Sequence, residues 1–189
     1  MTAPRVVLGV SGASGAALGL SVAHQLAGIG AEIDLVVSPA AKRTLAAECG
    51  PKAWDDLCAM ATRCHDVSNI GASIASGSVR VAGMIVAPCS MRTLAAIAHG
   101  MDDNLLTRSA SVQLKERRRL VMLPREAPLT LAHLRNMTAA TEMGAILLPP
   151  VPAFYICPQS VAEIIDQIAA RAIDLLSLSA PLAKCWAEP

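Results

Sequence analysis

Aromatic residues are nearly missing: the 189 residues include one Phe, one Tyr and two Trp. Any place where aromatics meet therefore stands out. Charge is scarce as well, with 16% Asp, Glu, Lys and Arg and a formal net charge of +1. A nucleic-acid binder needs a basic surplus, so that class of partner is excluded. The one basic run, Lys115-Glu-Arg-Arg-Arg119, reads as the solvated end of a helix, favoured by its dipole. No CxxC occurs. Six scattered cysteines give neither a disulfide framework nor a metal set, and Cys64-His65 is too isolated for a metal site, so reduced thiols and no metal are expected. No apolar run approaches about 18 residues, which excludes a membrane-spanning helix. The first residues lack the shape of a signal peptide, so the expected location is cytoplasmic. No repeat or low-complexity linker divides the chain, and one domain over 1–189 is expected, with a C-terminal tail that closes on the site or on a neighbour.

What the chain has in excess is apolar character: 53% hydrophobic residues and a mean hydropathy of +0.47. The excess must be buried, and subunit interfaces are the natural place, so a homo-oligomer is expected. Apolar runs of strand length fall at 6–10, 33–38, 83–87, 120–123 and 145–148. Segments of helical period fall at 16–28, 39–48, 52–63, 91–98, 104–116, 129–143 and 159–176. The strands are continuously apolar rather than alternating, as in a parallel sheet covered on both faces. Alternating β and α then gives a doubly wound α/β fold, whose ligands lie beyond the carboxyl ends of the strands.

The strand ends carry chemistry. After the first comes Ser11-Gly-Ala-Ser-Gly15, where small residues meet a helix start. Free N–H groups there make an anion cradle, or else the stretch is a plain tight turn. Ser90 and Thr93 flank a second strand-to-helix junction and fit either a phosphate or an ordinary helix cap. Arg125-Glu126 stands between Pro124 and Pro128. Arginine matches a phosphate, and a glutamate beside it can act as acid or base. Arg108 and Lys115 are seven apart on one helix and share a face. Phe154-Tyr155, the only Phe and Tyr, follow a proline-rich loop and can wall an apolar pocket or simply plug one.

Taken together, Gly12-Ala-Ser-Gly-Ala16, Ala75-Ser-Gly-Ser78, Ala87-Pro-Cys-Ser-Met91, Asp103-Asn-Leu-Leu-Thr-Arg108, Leu114-Lys-Glu-Arg-Arg118, Pro124-Arg-Glu-Ala-Pro128 and Pro150-Val-Pro-Ala-Phe-Tyr155 resemble the UbiX family of flavin prenyltransferases. That family includes the small subunits associated with hydroxybenzoate and phenolic-acid decarboxylases. The resemblance runs from Arg5 to Trp186. It implies a flavodoxin-like, Rossmann-like three-layer sandwich assembled as a dodecamer, with sites at subunit interfaces. It implies transfer of the dimethylallyl group of dimethylallyl monophosphate to N5 and C6 of reduced FMN, without a metal. The product, prenylated FMN, would serve a UbiD-type decarboxylase.

The resemblance also implies residue roles. Gly12, Ala13, Ser14, Ser38, Ser90, Met91, Arg92, Thr93 and Arg125 would bind FMN. Tyr155, Arg171, Lys115 and Arg108 would bind the prenyl phosphate, with Glu48 and Trp186 near them. Glu126, Ser14 and Arg125 would serve catalysis. Set against the other strand ends, the loop at Gly12 then reads as a close-approach wall between flavin and prenyl donor. Ile156-Cys157 and the short polar stretch 66–74 differ from the family pattern. Two rival functions remain at this level. One is a flavin-dependent cysteine decarboxylase; the other is a non-catalytic flavin-binding subunit.

Overall fold

A computed structural model describes residues 3–186. The elements are β1 (Arg5–Val10), α1 (Ala16–Gly28), β2 (Glu32–Val37), α2 (Pro39–Cys49), α3 (Ala53–Met60), β3 (Arg63–His65), β4 (Gly83–Cys89), α4 (Met91–Ala98), α5 (Leu105–Lys115), β5 (Arg119–Pro124), α6 (Leu131–Glu142), β6 (Ile146–Leu147) and α7 (Val161–Asp174). All six strands pair in parallel in one sheet, in the order β3-β2-β1-β4-β5-β6. This is the doubly wound α/β architecture expected, and its order reverses between β1 and β4.

Each strand feeds two cores because successive side chains point to opposite faces. Val6, Leu8 and Val10 pack with Ile85, Val121 and the apolar stripes of α1, α2, α3 and α7. Val7, Val36, Met84 and Val86 pack on the other face with α4, α5 and Ala140 of α6. Close helix-to-sheet packing explains Gly19, where an added Cβ would lie 2.7 Å from the Ala87 carbonyl oxygen.

The expected helix over 52–63 ends at Met60, and the chain then forms the edge strand β3. Arg63-Cys-His65 has no apolar run to announce a strand. It is held instead through Asp34, which is fully buried in β2. The Asp34 carboxylate accepts from Arg5 and lies 2.7 Å from His65 Nε2. Burial alone would raise the Asp34 pKa, but the bonds from Arg5 and His65 outweigh it and hold the carboxyl below its ordinary range.

After α7 the chain folds back along that helix. The Leu182 and Ala183 amides donate to the Asp174 carboxylate at 2.7 and 3.1 Å, and Lys184 exchanges two bonds with Gln167.

Candidate active site

The carboxyl ends of β1, β2 and β4 surround a cavity of about 700 Å³. Gly12, Ser38, Arg92, Ser90 and Thr93 line it, with Arg43, Ser68 and Asp103. Its size suits a small-molecule or cofactor site. Ser38 caps α2 by accepting from the Ala41 amide at 3.1 Å. Ser90 caps α4, accepting from the Thr93 amide at 3.3 Å and donating to Thr93 Oγ1 at 3.1 Å. Both helix starts thus open on the cavity. Ser11 fastens its floor: its hydroxyl donates to the Pro88 carbonyl at 2.9 Å and accepts from the Ser90 amide at 2.6 Å.

The start of α1 is different. Gly15 adopts a left-handed conformation there, with φ 102°, a region glycine enters without steric cost. The Gly15 and Ala16 amides, which an open cradle would offer to a phosphate, both donate to Glu48 Oε2 at 2.8 Å. The anion at this helix start is therefore a side chain from the last turn of α2. This corrects the anion-cradle reading of the first loop. Burial works against the Glu48 charge, but the Ala16 amide, the Ser14 hydroxyl, the Gly15 amide and the nearby Arg125 guanidinium prevail and lower its pKa. Ser14, Glu48 and Arg125 therefore share one neighbourhood.

Gly12 permits a close approach of another kind. An added Cβ would stand 2.3 Å from the Ala40 Cβ, so the loop and α2 touch at this point. Ala13 lies in the same loop. Met91 is 8% exposed and packs in the core on the α4 side, so only its backbone is available to a ligand. Arg92 is largely exposed and paired with Asp103. The Arg125 amide donates to the Cys89 carbonyl at 3.0 Å, bringing the end of β5 beside that of β4. Glu126 is exposed, and its Oε1 accepts from the Ala127 amide at 3.1 Å.

The remaining expected residues divide into two sets on opposite faces of the sheet. Arg108 and Lys115 lie on α5. Arg108 pairs with Asp102 at 2.9 Å and Lys115 with Glu116 at 2.6 Å. Tyr155, Arg171 and Trp186 belong to the α7 side. The Tyr155 hydroxyl donates to the Lys184 carbonyl at 3.3 Å, and its ring meets Trp186 edge-on at 5.5 Å. Arg171 is exposed on α7, on the same face as Gln167 and Asp174. One chain does not bring the two sets together. Arg43 and Asp103 also line the cavity; Asp103 stands in one of the motifs quoted above, without a role of its own, and Arg43 in none of them. Arg43 carries a legible signal, since it stands one helical turn beyond Pro39 and so shares the face that begins at the end of β2. Among the described residues no cluster of three or more His, Cys, Asp or Glu is placed to hold a metal ion.

A flavin prenyltransferase UbiX from Thauera aromatica is 52% identical over 182 residues, which span 96% of this chain and 93% of that protein. The chain belongs to the UbiX family of flavin prenyltransferases. The wider family model, Flavoprotein, matches residues 1–173. Solved structures of UbiX proteins agree in shape. The crystal structure of AnUbiX (PadA1) in complex with FMN and dimethylallyl pyrophosphate has 43% identity and a TM-score of 0.94, covering 99% of each chain. The dodecameric FMN-dependent UbiX-like decarboxylase from Escherichia coli O157:H7 has 43% identity and a TM-score of 0.92, covering 97% of this chain and 100% of that one. The FMN-dependent cysteine decarboxylase TvaF, at 16% identity and a TM-score of 0.64 over 92% of this chain and 98% of its own, shares the fold alone.

Proposed function

We propose that the protein is a flavin prenyltransferase that joins the dimethylallyl group of dimethylallyl monophosphate to reduced FMN. The carrying observation is the cavity at the sheet's switch point, where Gly12, Ser38, Ser90, Arg92 and Thr93 meet. These residues fit the cofactor: small residues admit a flat ring, and two capped helix starts with hydroxyls suit its phosphate. Bound reduced FMN supplies N5 and C6 as the atoms that take the prenyl group.

The chain's own residues then do the following. Ser38, Ser90 and Thr93 bind the cofactor through hydroxyls and helix-start amides. Ser14 and Arg125, held around Glu48, face the transferring group. As the allylic C–O bond breaks, negative charge grows on the leaving phosphate, and Arg108, Lys115, Arg125 and Arg171 stabilise it. Glu126 takes the proton released at C6 on a carboxylate oxygen. Phe154, Tyr155 and Trp186 wall the allyl group and keep water from it.

Arg108 and Lys115 lie across the sheet from Tyr155 and Arg171, which supports a homo-oligomer, a dodecamer in this reading, whose sites form between subunits. The exposed apolar side chains of Leu131, Leu134, Val151 and Val161 give such contacts material. The protein then works as one domain and delivers its product in the cytoplasm to a UbiD-type decarboxylase. Anaerobic incubation with reduced FMN and dimethylallyl monophosphate tests the activity. The flavin mass is expected to rise by one prenyl unit, and an unchanged mass rejects it.

A further inference from the structure

The cavity at the switch point holds two arginines, Arg43 and Arg92, and one carboxylate, Asp103. Arg92 is paired with Asp103. Arg43 is exposed and, among the described residues, has no ion pair or side-chain hydrogen bond. Its neighbour Lys42 points elsewhere. The Lys42 ammonium sits 4.2 Å from the centre of the Trp54 ring and lines a separate cavity of about 330 Å³. Among the described residues Arg43 is thus the one cation of the 700 Å³ cavity whose charge no protein group balances.

The charges around the cavity also have a direction. At the α1 end, Glu48 already fills the amide pair of Gly15 and Ala16. A phosphate there would meet a carboxylate. At the other end, the starts of α2 and α4 present Ser38, Ser90 and Thr93, and Arg43 rises from the second turn of α2. Helix starts favour an anion, and a guanidinium matches phosphate with paired donors.

We propose that Arg43 is the counter-ion of the flavin phosphate and the residue by which the cavity selects FMN over the phosphate-free flavin. This rests on the flavin reading above. Arg43 then fixes which way round the flavin lies, with its phosphate at α2 and α4 and its ring toward Gly12, Ser14 and Arg125.

The test titrates the flavin-free full-length protein with FMN and with riboflavin, following flavin fluorescence at low and high salt. Wild type is expected to bind FMN more tightly than riboflavin. Arg43→Gln should weaken FMN about tenfold, the scale of one lost charge-assisted contact, and leave riboflavin unchanged. Arg43→Lys should recover part of the loss, and added salt should narrow the gap between wild type and Arg43→Gln. Unchanged FMN affinity in Arg43→Gln overturns the proposal while leaving the flavin reading intact. Equal losses for FMN and riboflavin overturn it too, because the arginine would then act on the ring or the fold. Wild type that binds neither flavin rejects the flavin reading itself, and the proposal with it.

Discussion

Glu48 caps α1 at Gly15, its Oε2 standing 2.8 Å from the Gly15 amide nitrogen. A side-chain carboxylate from one helix thus does for another what a bound anion does elsewhere. Because its pKa is lowered from 4.5, the ionised form stabilises the fold above the unfolded-state value. That contribution fades as pH falls through the lower folded-state value. Glu48→Gln is expected to cost about 1 kcal/mol at pH 7. Urea unfolding of both proteins should converge in strongly acidic buffer; a gap that persists there would show the loss to be packing rather than charge.

Gly12 and Ala40 leave no room for a methyl group between the first loop and α2. Gly12→Ala is expected to destabilise by roughly 1–3 kcal/mol, as overpacking does. It should also displace Ser38 and weaken flavin binding. Thermal unfolding and a flavin titration measure the two effects, and a fully wild-type profile in both would mean the loop yields freely.

The separation of Arg108 from Tyr155 by the sheet makes a mixing experiment informative. Arg108→Ala and Tyr155→Phe are each expected to lower turnover at least tenfold as homogeneous preparations. Mixed after subunit exchange, they should recover part of the activity, because some interfaces then carry one intact set from each chain. No recovery, with exchange verified by mass, would place both sets in sites built from single chains.

Trp186 touches Tyr155 and is one of two tryptophans. Trp54→Phe leaves it as the sole tryptophan reporter. Its emission is expected to shift when dimethylallyl monophosphate is added to the flavin-loaded protein. An unchanged spectrum at saturating donor would remove Trp186 from the prenyl site.

The cysteines should separate by reactivity. Burial pushes the Cys89 thiol up to about 12, and burial with the adjacent Cys64 does the same for Cys58. Cys64 and Cys157 are exposed. Iodoacetamide at pH 8, followed by peptide mass analysis, is expected to label Cys64 and Cys157 well before Cys58 and Cys89. Early labelling of Cys89 would mean that β4 opens readily.

The five apolar strands and seven helices were legible because burial on both sheet faces writes continuous hydrophobic runs between helical stripes. Edge strand β3 was not, since its place depends on Asp34, a contact between residues distant along the chain. The lining of the cavity is legible where it follows strand ends, as at Ser38 and Ser90. The position of Glu48 was not, because its pairing with the amides of Gly15 and Ala16 spans 33 and 32 residues. Arg43 is inconspicuous for another reason. A surface arginine looks ordinary until its neighbours are found to be neutralised and it is not.

The parallel sheet also gives the molecule two unlike ends. Arg5 opens β1 on the margin away from the switch point, whereas Trp186 lies against Tyr155. A fusion partner or surface tether joined ahead of Arg5 therefore leaves the cavity mouth open. The opposite margin carries the edge-on contact of Trp186 with Tyr155, so a bulky label placed on either ring meets the groups proposed for the prenyl phosphate.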